Sequence, residues 1–268
     1  MITSTSNNRI KNIIRLITSS KARREQNSFI VEGVKMFMEA PCCDVLEVFV
    51  SEDYYNRLNE DIKSGNGEKS QAVINKLDET GFEIVSTDCF KKMSDTVTPQ
   101  GILSVVKQNN YSCEELIKDK NSLRVLILDN VQDPGNLGTM LRTAEGAGFD
   151  FVLAGNNTVD VYNPKVIRST MGSVYRVPIC YVKDLPAAIR LLKSNGVKLF
   201  AAHLRGENYY YSEDFTGRVG IMIGNEGNGL SDEIANMADT YIKIPMEGQV
   251  ESLNASVAAA ILMYECVR

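Results

Sequence analysis

From Arg124 onward the chain alternates short, unbroken runs of Val, Ile and Leu with amphipathic segments, and this alternation constrains the fold more than any other feature. RVLILD, FDFVLAG, YRVPICYV, VKLFAAH, RVGIMIG and TYIKIP read as strands. NLGTMLRTAEGAG, NPKVIRSTM, LPAAIRLLKSNG, LSDEIANM and SLNASVAAAILMYECV read as helices. A strand that is apolar on both faces must be covered on both faces, and helices alternating with strands supply that cover. The pattern therefore implies an α/β domain built on a parallel sheet. With 268 residues, 44% of them apolar, the chain can bury a sizeable core.

The first half reads differently. A basic helix near Asn7–Ile17 precedes the short apolar runs SFIVEG, VLEVFV, GFEIVS and GILSVVK, which are separated by polar helical stretches. That mixture predicts a small α/β domain over residues 1–106. Residues 107–122 are polar and lack a strand pattern, so they read as a linker to a second domain at 123–268. No segment approaches the ~18–20 consecutive apolar residues of a membrane span. The N-terminus has no apolar signal region, so the sequence reads as mature and cytoplasmic.

Several chemistries are disfavoured. The six cysteines include no Cys-x-x-Cys, so reduced thiols are expected rather than a metal site. The single histidine, His203, closes the run VKLFAAH and reads as an ordinary strand-end residue, which argues against histidine-based hydrolysis. The net charge of −5 argues against nucleic acid, but its distribution does not. Residues 1–24 contain Arg9, Lys11, Arg15, Lys21, Arg23 and Arg24 and no acid, which is either a phosphate footprint or a solvated helix face.

In a parallel sheet the ligand lies beyond the carboxyl ends of the strands, which directs attention to three loops. The first, after RVLILD, leads into DPGNLGTMLRTAEGAGFD. Its Leu137, Met140, Leu141, Ala144 and Ala147 form a helical stripe, with Arg142 at the border. A guanidinium there needs an anionic partner, either a carboxylate such as Glu226 or a ligand phosphate, unless it is merely exposed. The second loop, NEGNGLS, is glycine-rich, serving either a ligand's close approach or a plain turn. It matches neither a P-loop nor a dinucleotide fingerprint. The third, MEGQVESLNAS, delivers Ser252 and Asn254 to the last helix, and Ser252 taken alone reads as an N-cap.

Together, DPGNLGTMLRTAEGAGFD, IGNEGNGLS and IPMEGQVESLNASVAAAI, in that order, resemble the three signature motifs of the SpoU (TrmH-like) RNA ribose 2'-O-methyltransferases of the SPOUT superfamily. DVYNPKVIRSTMGSVYRVPI is similar to the family's segment between motifs. ITSTSNNRIKNIIRL and SFIVEGVKMFMEA look like its N-terminal, L30e-like substrate-binding domain. The resemblance implies a SPOUT-type sheet with a trefoil knot, a homodimer formed through the C-terminal domain, and S-adenosylmethionine as cofactor with no metal. By match to the motifs it implies cofactor contacts at Gly224, Asn225, Ile244, Met246 and Leu253. It also implies a catalytic set of Asn136, Arg142, Glu226, Ser252 and Asn254.

Within that set, Arg142 is expected to stabilise the developing 2'-alkoxide and grip the adjacent phosphate, since a guanidinium is not deprotonated in proteins. Glu226 is expected to orient Arg142, and Asn136, Ser252 and Asn254 to position the ribose. The substrate implied is RNA, ribosomal rather than transfer RNA, with the basic N-terminal residues as RNA contacts. An RNA-binding or ribosome-assembly protein without turnover is the competing expectation, as is a tRNA-directed enzyme. An oxidoreductase is disfavoured by the missing fingerprint.

Overall fold

The computed structural model describes residues 1–65, 67–118 and 120–268. The chain forms two compact units: residues 1–108 with 162–175, and residues 109–161 with 176–268.

The first unit begins with helices α1 (Asn8–Thr18) and α2 (Ser20–Gln26). Asn7 starts α1 by accepting the Arg9 amide at 2.8 Å, and Ile10, Ile13 and Leu16 turn inward at helical spacing. Then follow β1 (Ser28–Glu32), α3 (Val34–Glu39), β2 (Val45–Ser51), α4 (Glu52–Lys63), α5 (Glu68–Thr80), β3 (Glu83–Val85), α6 (Thr87–Met93) and β4 (Ile102–Lys107). The sheet order is β1-β4-β2-β3, with β4 antiparallel to both neighbours and β2–β3 parallel. Helices cover both faces of this sheet in separate apolar clusters, Ile10, Phe49 and Phe90 in one and Phe37, Val50 and Leu77 in the other.

The second unit opens with α7 (Cys113–Ile117), inside the stretch expected to be a linker. Cys113 and Ile117 are buried with Leu123, Val125 and Leu199, so the segment is anchored by packing that its polar composition conceals. After it come β5 (Leu123–Leu128), α8 (Pro134–Gly146), β6 (Phe151–Gly155), α9 (Pro164–Thr170), β7 (Ile179–Val182), α10 (Leu185–Ser194), β8 (Lys198–Ala202), β9 (Asn208–Tyr209), β10 (Arg218–Ile223), α11 (Asp232–Ala235), β11 (Thr240–Lys243) and α12 (Ala255–Glu265). The seven strands are parallel, in the order β7-β6-β5-β10-β8-β11-β9. The near-complete burial of β5, β6, β8 and β10 is what their continuous apolar runs predict.

Three details differ from the sequence expectation. The α9 segment belongs to the first unit, because Ile167 packs with Phe29, Val31 and Met36, and Tyr162 lies 4.6 Å from Phe29 ring to ring. Strand β7 starts only after Pro178, which lacks the amide a ladder needs. Strand order also departs from chain order: β10 lies between β5 and β8, and β11 between β8 and β9.

Candidate cofactor and active site

Strands β5 and β10 are neighbours whose onward connections diverge, β5 leading to β6 on one side and β10 to β11 on the other. The crevice at such a switch point is where doubly wound sheets bind ligands. Here the two loops are tied together. Asp129 accepts the Ser231 amide and hydroxyl at 2.9 and 2.7 Å, and Asn225 Nδ2 donates to the Asn130 carbonyl at 3.0 Å.

Glu226 is the centre of the tie. Its Oε1 accepts the Asp133 amide at 2.9 Å and Asn136 Nδ2 at 3.0 Å, and its Oε2 accepts the Gln132 amide at 3.1 Å. Asp133 caps α8 by accepting the Asn136 amide at 2.8 Å, with Pro134 at the first helical position. The carboxylate thus sits at a helix N-terminus, where amides and dipole favour negative charge. Burial pushes the Glu226 carboxyl up, but the donors from Asn136, Gln132 and Asp133 outweigh it and hold its pKa below the usual value.

The tie extends to the third loop. Asn136, 7% exposed, accepts Asn254 Nδ2 on its Oδ1 at 3.0 Å. Asn254 Oδ1 in turn accepts the Ser256 amide at 2.9 Å, the Ser256 hydroxyl at 2.7 Å and the Val257 amide at 3.3 Å. Asn254, not Ser252, is therefore the N-cap of α12, because the helix begins at Ala255 and Ser252 comes too early to reach its free amides. Both polar atoms of Asn136 and of Asn254 are engaged, so these side chains hold the loops together. Asn254→Ala is expected to cost about 1–2 kcal/mol in urea unfolding, and Asn254→Asp to recover the cap but not the bond to Asn136.

Beyond the ends of β8, β10 and β11 lies a cavity of about 750 Å³. Its wall includes all five residues expected to touch cofactor, Gly224, Asn225, Ile244, Met246 and Leu253, together with Glu226 and Ser252. Gly224 is required there: a Cβ would lie 2.1 Å from both the Gly229 carbonyl carbon and the Leu230 nitrogen. Arg142 is not in the wall. It is exposed on α8, about 9 Å along the axis from Asn136 at 1.5 Å per residue, and its side chain has no hydrogen bond or ion pair among the described residues. The expected Glu226–Arg142 pairing is not made, because Glu226 is already saturated by nearer donors.

The sequence reading passed over His203, Arg205 and Tyr209, which also line the cavity. His203 stacks on Tyr241 with centroids 5.0 Å apart, and its Nδ1 accepts the Arg205 amide at 3.0 Å, which leaves the proton of the neutral ring on Nε2. Burial, then the Arg205 charge, pushes its pKa down, against a smaller upward pull from Asp232. The strand-end rule that picked out the other loops applies equally to VKLFAAH and would have found these residues.

The basic N-terminus is less free than its sequence implies. Arg9 pairs with Glu47 at 2.8 Å and Glu83 at 3.3 Å and lies over Phe49, while Arg15 and Lys21 reach Glu25 at 3.0 and 3.8 Å. Arg23 is 3% exposed and donates to the carbonyls of Leu16 and Ile17 at 2.7 and 3.0 Å, closing the end of α1, which removes it as an RNA contact. Lys11 and Arg24 are exposed and unpaired among the described residues. Also among the described residues, no cluster of His, Cys, Asp or Glu is placed to hold a metal, and no helix is long and apolar enough to cross a membrane.

A parallel sheet with a cavity beyond the ends of β8, β10 and β11, walled by the second and third loops, defines a ligand-binding α/β domain of the enzyme type. The chain belongs to the SpoU rRNA Methylase family, which matches residues 123–264; residues 7–104 match the MRM3-like substrate binding domain. A 23S rRNA (guanosine(2553)-2'-O)-methyltransferase of Bacillus subtilis is 35% identical over 267 residues, covering 98% of this chain and 97% of the relative. The crystal structure of an AdoMet-bound rRNA methyltransferase from Sinorhizobium meliloti superposes with a TM-score of 0.81 at 28% identity, covering 99% of this chain and 96% of that one. A solved RNA 2'-O ribose methyltransferase gives 0.79 at 30% identity, over 99% and 97% of the two chains.

Proposed function

We propose that this chain transfers the methyl group of S-adenosylmethionine to a ribose 2'-hydroxyl of ribosomal RNA, with 23S rRNA, the substrate named for the Bacillus relative, as its target. The observation that carries the reading is the cavity beyond β10 and β11, walled by the second and third loops at the residues expected to touch cofactor.

The site fits that cofactor. Its volume lies within the range of ligand pockets, roughly 300–1,000 Å³. Ile244, Met246, Leu253 and Leu262 offer apolar surface to the adenosyl group, and the carboxylates of Glu247 and Glu251 face a ligand that bears positive charge. When bound, S-adenosylmethionine supplies an electrophilic methyl on a sulfonium. The chain's own groups supply positioning and charge stabilisation, the two contributions that methyl transfer to a weak oxygen nucleophile requires. Ser252, exposed in the wall, hydrogen-bonds the ribose in this reading. Glu226, Asn136 and Asn254 are positioning residues that fix the three loops. Arg142, lacking a protein partner, meets the RNA phosphate and the developing charge on the 2'-oxygen.

Dimerisation through the second unit belongs to the same reading and is supported by α12. This helix is apolar on all sides, yet Val257 and Tyr264 on it and Val267 just past its end are 47%, 54% and 38% exposed. Val257→Asp is expected to shift the mass measured by light scattering from dimer to monomer. The family's trefoil knot is likewise supported by the entry of β10 and β11 between strands laid down earlier in the chain. For RNA capture, exposed Lys11 and Arg24 are the cations of the N-terminal basic stretch left unpaired among the described residues. Lys11→Ala with Arg24→Ala should weaken RNA binding and lower its salt slope by about two, since each phosphate contact contributes about one.

The experiment that tests the reading is ribose-methylation mapping of 23S rRNA incubated with the purified protein and S-adenosylmethionine. One new alkali-resistant position supports it, and an unchanged pattern in both naked rRNA and large subunits overturns it.

A further inference from the structure

The cavity mouth bears an aromatic surface that the residues assigned above leave unused. Tyr209, Tyr210 and Tyr211 sit at and just after β9, the edge strand of the seven-stranded sheet. The rings of Tyr209 and Tyr211 stack with centroids 5.3 Å apart at 12°, and Tyr210 meets Tyr211 edge-on at 5.3 Å and 73°. The two stacked rings nevertheless remain 41% and 51% exposed.

Cations accompany them. Lys243 Nζ lies 5.1 Å from the centre of the Tyr209 ring, and the Arg205 side chain is 81% exposed with only a 3.8 Å pairing to Asp232. Tyr209, Lys243 and Arg205 all belong to the cavity wall, so one face combining stacked rings and positive charge runs outward from the cavity. The other charged groups of the wall, Glu226, Glu247 and Glu251, lie on the second and third loops.

We propose that the Tyr209–Tyr211 ledge is a stacking platform for an unpaired RNA base beside the nucleotide that is methylated, with Lys243 and Arg205 meeting the flanking phosphates. The proposal rests on the function given above and names how the substrate is held. A ribose hydroxyl presented to a concave cavity belongs to a splayed nucleotide, whose neighbours lose stacking partners. An exposed aromatic face restores that stacking, and it accepts any base because every base has a π-face. Two preassembled rings present this surface at little ordering cost, and cations beside them match phosphate rather than an apolar protein face. The ledge therefore adds affinity for single-stranded or looped RNA and little base choice.

The test uses the full chain and a short rRNA fragment that spans the methylated site, with binding measured separately from turnover. Tyr211→Ala is expected to weaken RNA binding by about five- to a hundred-fold, the span of one base–aromatic stack, with cofactor affinity and molecular mass unchanged. Tyr211→Phe should bind as wild type. Because the chain contains no Trp, Tyr211→Trp supplies a single tryptophan, excited apart from the tyrosines, whose fluorescence should be quenched on RNA binding. Unchanged RNA affinity in Tyr211→Ala overturns the proposal. A fall in molecular mass with that substitution also overturns it and assigns the ledge to contact between two copies. Tyr211-dependent RNA binding without methyl transfer by the wild type would sink the proposed function and leave the ledge standing.

Discussion

Arg142→Ala is expected to reduce methyl transfer about 10²- to 10³-fold, the cost of removing one preorganised donor from a developing oxyanion. Cofactor affinity and unfolding midpoint should stay at wild-type values, because the side chain is exposed and contacts no other charged group among the described residues. Sequence alone left its partner open between Glu226 and a ligand phosphate. In the structure Glu226 is occupied by Asn136 and two backbone amides, and the guanidinium has no protein partner among the described residues. Arg142→Lys should be nearly as inactive as the alanine variant, since an ammonium does not reproduce a planar fork that grips phosphate and 2'-oxygen together. Single-turnover transfer to rRNA checks both variants, and near-normal turnover by the lysine variant would remove Arg142 from this role.

Gly224→Ala is expected to abolish measurable cofactor binding and to lower stability by about 1–3 kcal/mol or more, as overpacking does. The added Cβ would stand 2.1 Å from backbone atoms of Gly229 and Leu230, and no side-chain rotation relieves a clash with backbone. Those atoms belong to a turn closed by paired 2.9 Å hydrogen bonds between Asn225 and Gly229. Opening the turn would withdraw Glu226 from Asn136 and separate the second loop from the first and third. Gly227→Ala is the control: its Cβ would meet only Asn225 Oδ1, at 3.6 Å, so cofactor binding should persist. Calorimetric titration with S-adenosylmethionine, alongside thermal unfolding, separates the two variants. Tight binding by Gly224→Ala would mean that this turn is not part of the cofactor site.

Much of this was legible in the sequence, for physical reasons. Buried parallel strands must be apolar on both faces, so β5, β6, β8 and β10 appear as largely apolar runs, and the stripe Leu137, Met140, Leu141, Ala144 and Ala147 is buried as its spacing requires. Strand order was not legible, because hydrophobic periodicity reports burial and carries no information about which strand lies alongside. The same limit hid the α9 segment's place in the first unit and the packing of Cys113 and Ile117 inside the expected linker. Two-residue β9 is too short to have a period at all.

At the site, the loops were found by the strand-end rule, but roles within them depend on distances. Ser252 and Asn254 are both capable caps, and only the start of α12 at Ala255 decides between them. Arg23 looked like its neighbours until its burial against the Leu16 and Ile17 carbonyls separated it from Lys11 and Arg24. His203, dismissed as a strand-end residue, proved to be one, and the strand end is also the cavity wall.

The central claim is tested most directly by incubating the purified protein with methyl-labelled S-adenosylmethionine and rRNA, then digesting the RNA to nucleosides. The account predicts label in a single 2'-O-methylnucleoside, lost with Arg142→Ala. Label on a base, or none at all despite measurable cofactor binding, would contradict it.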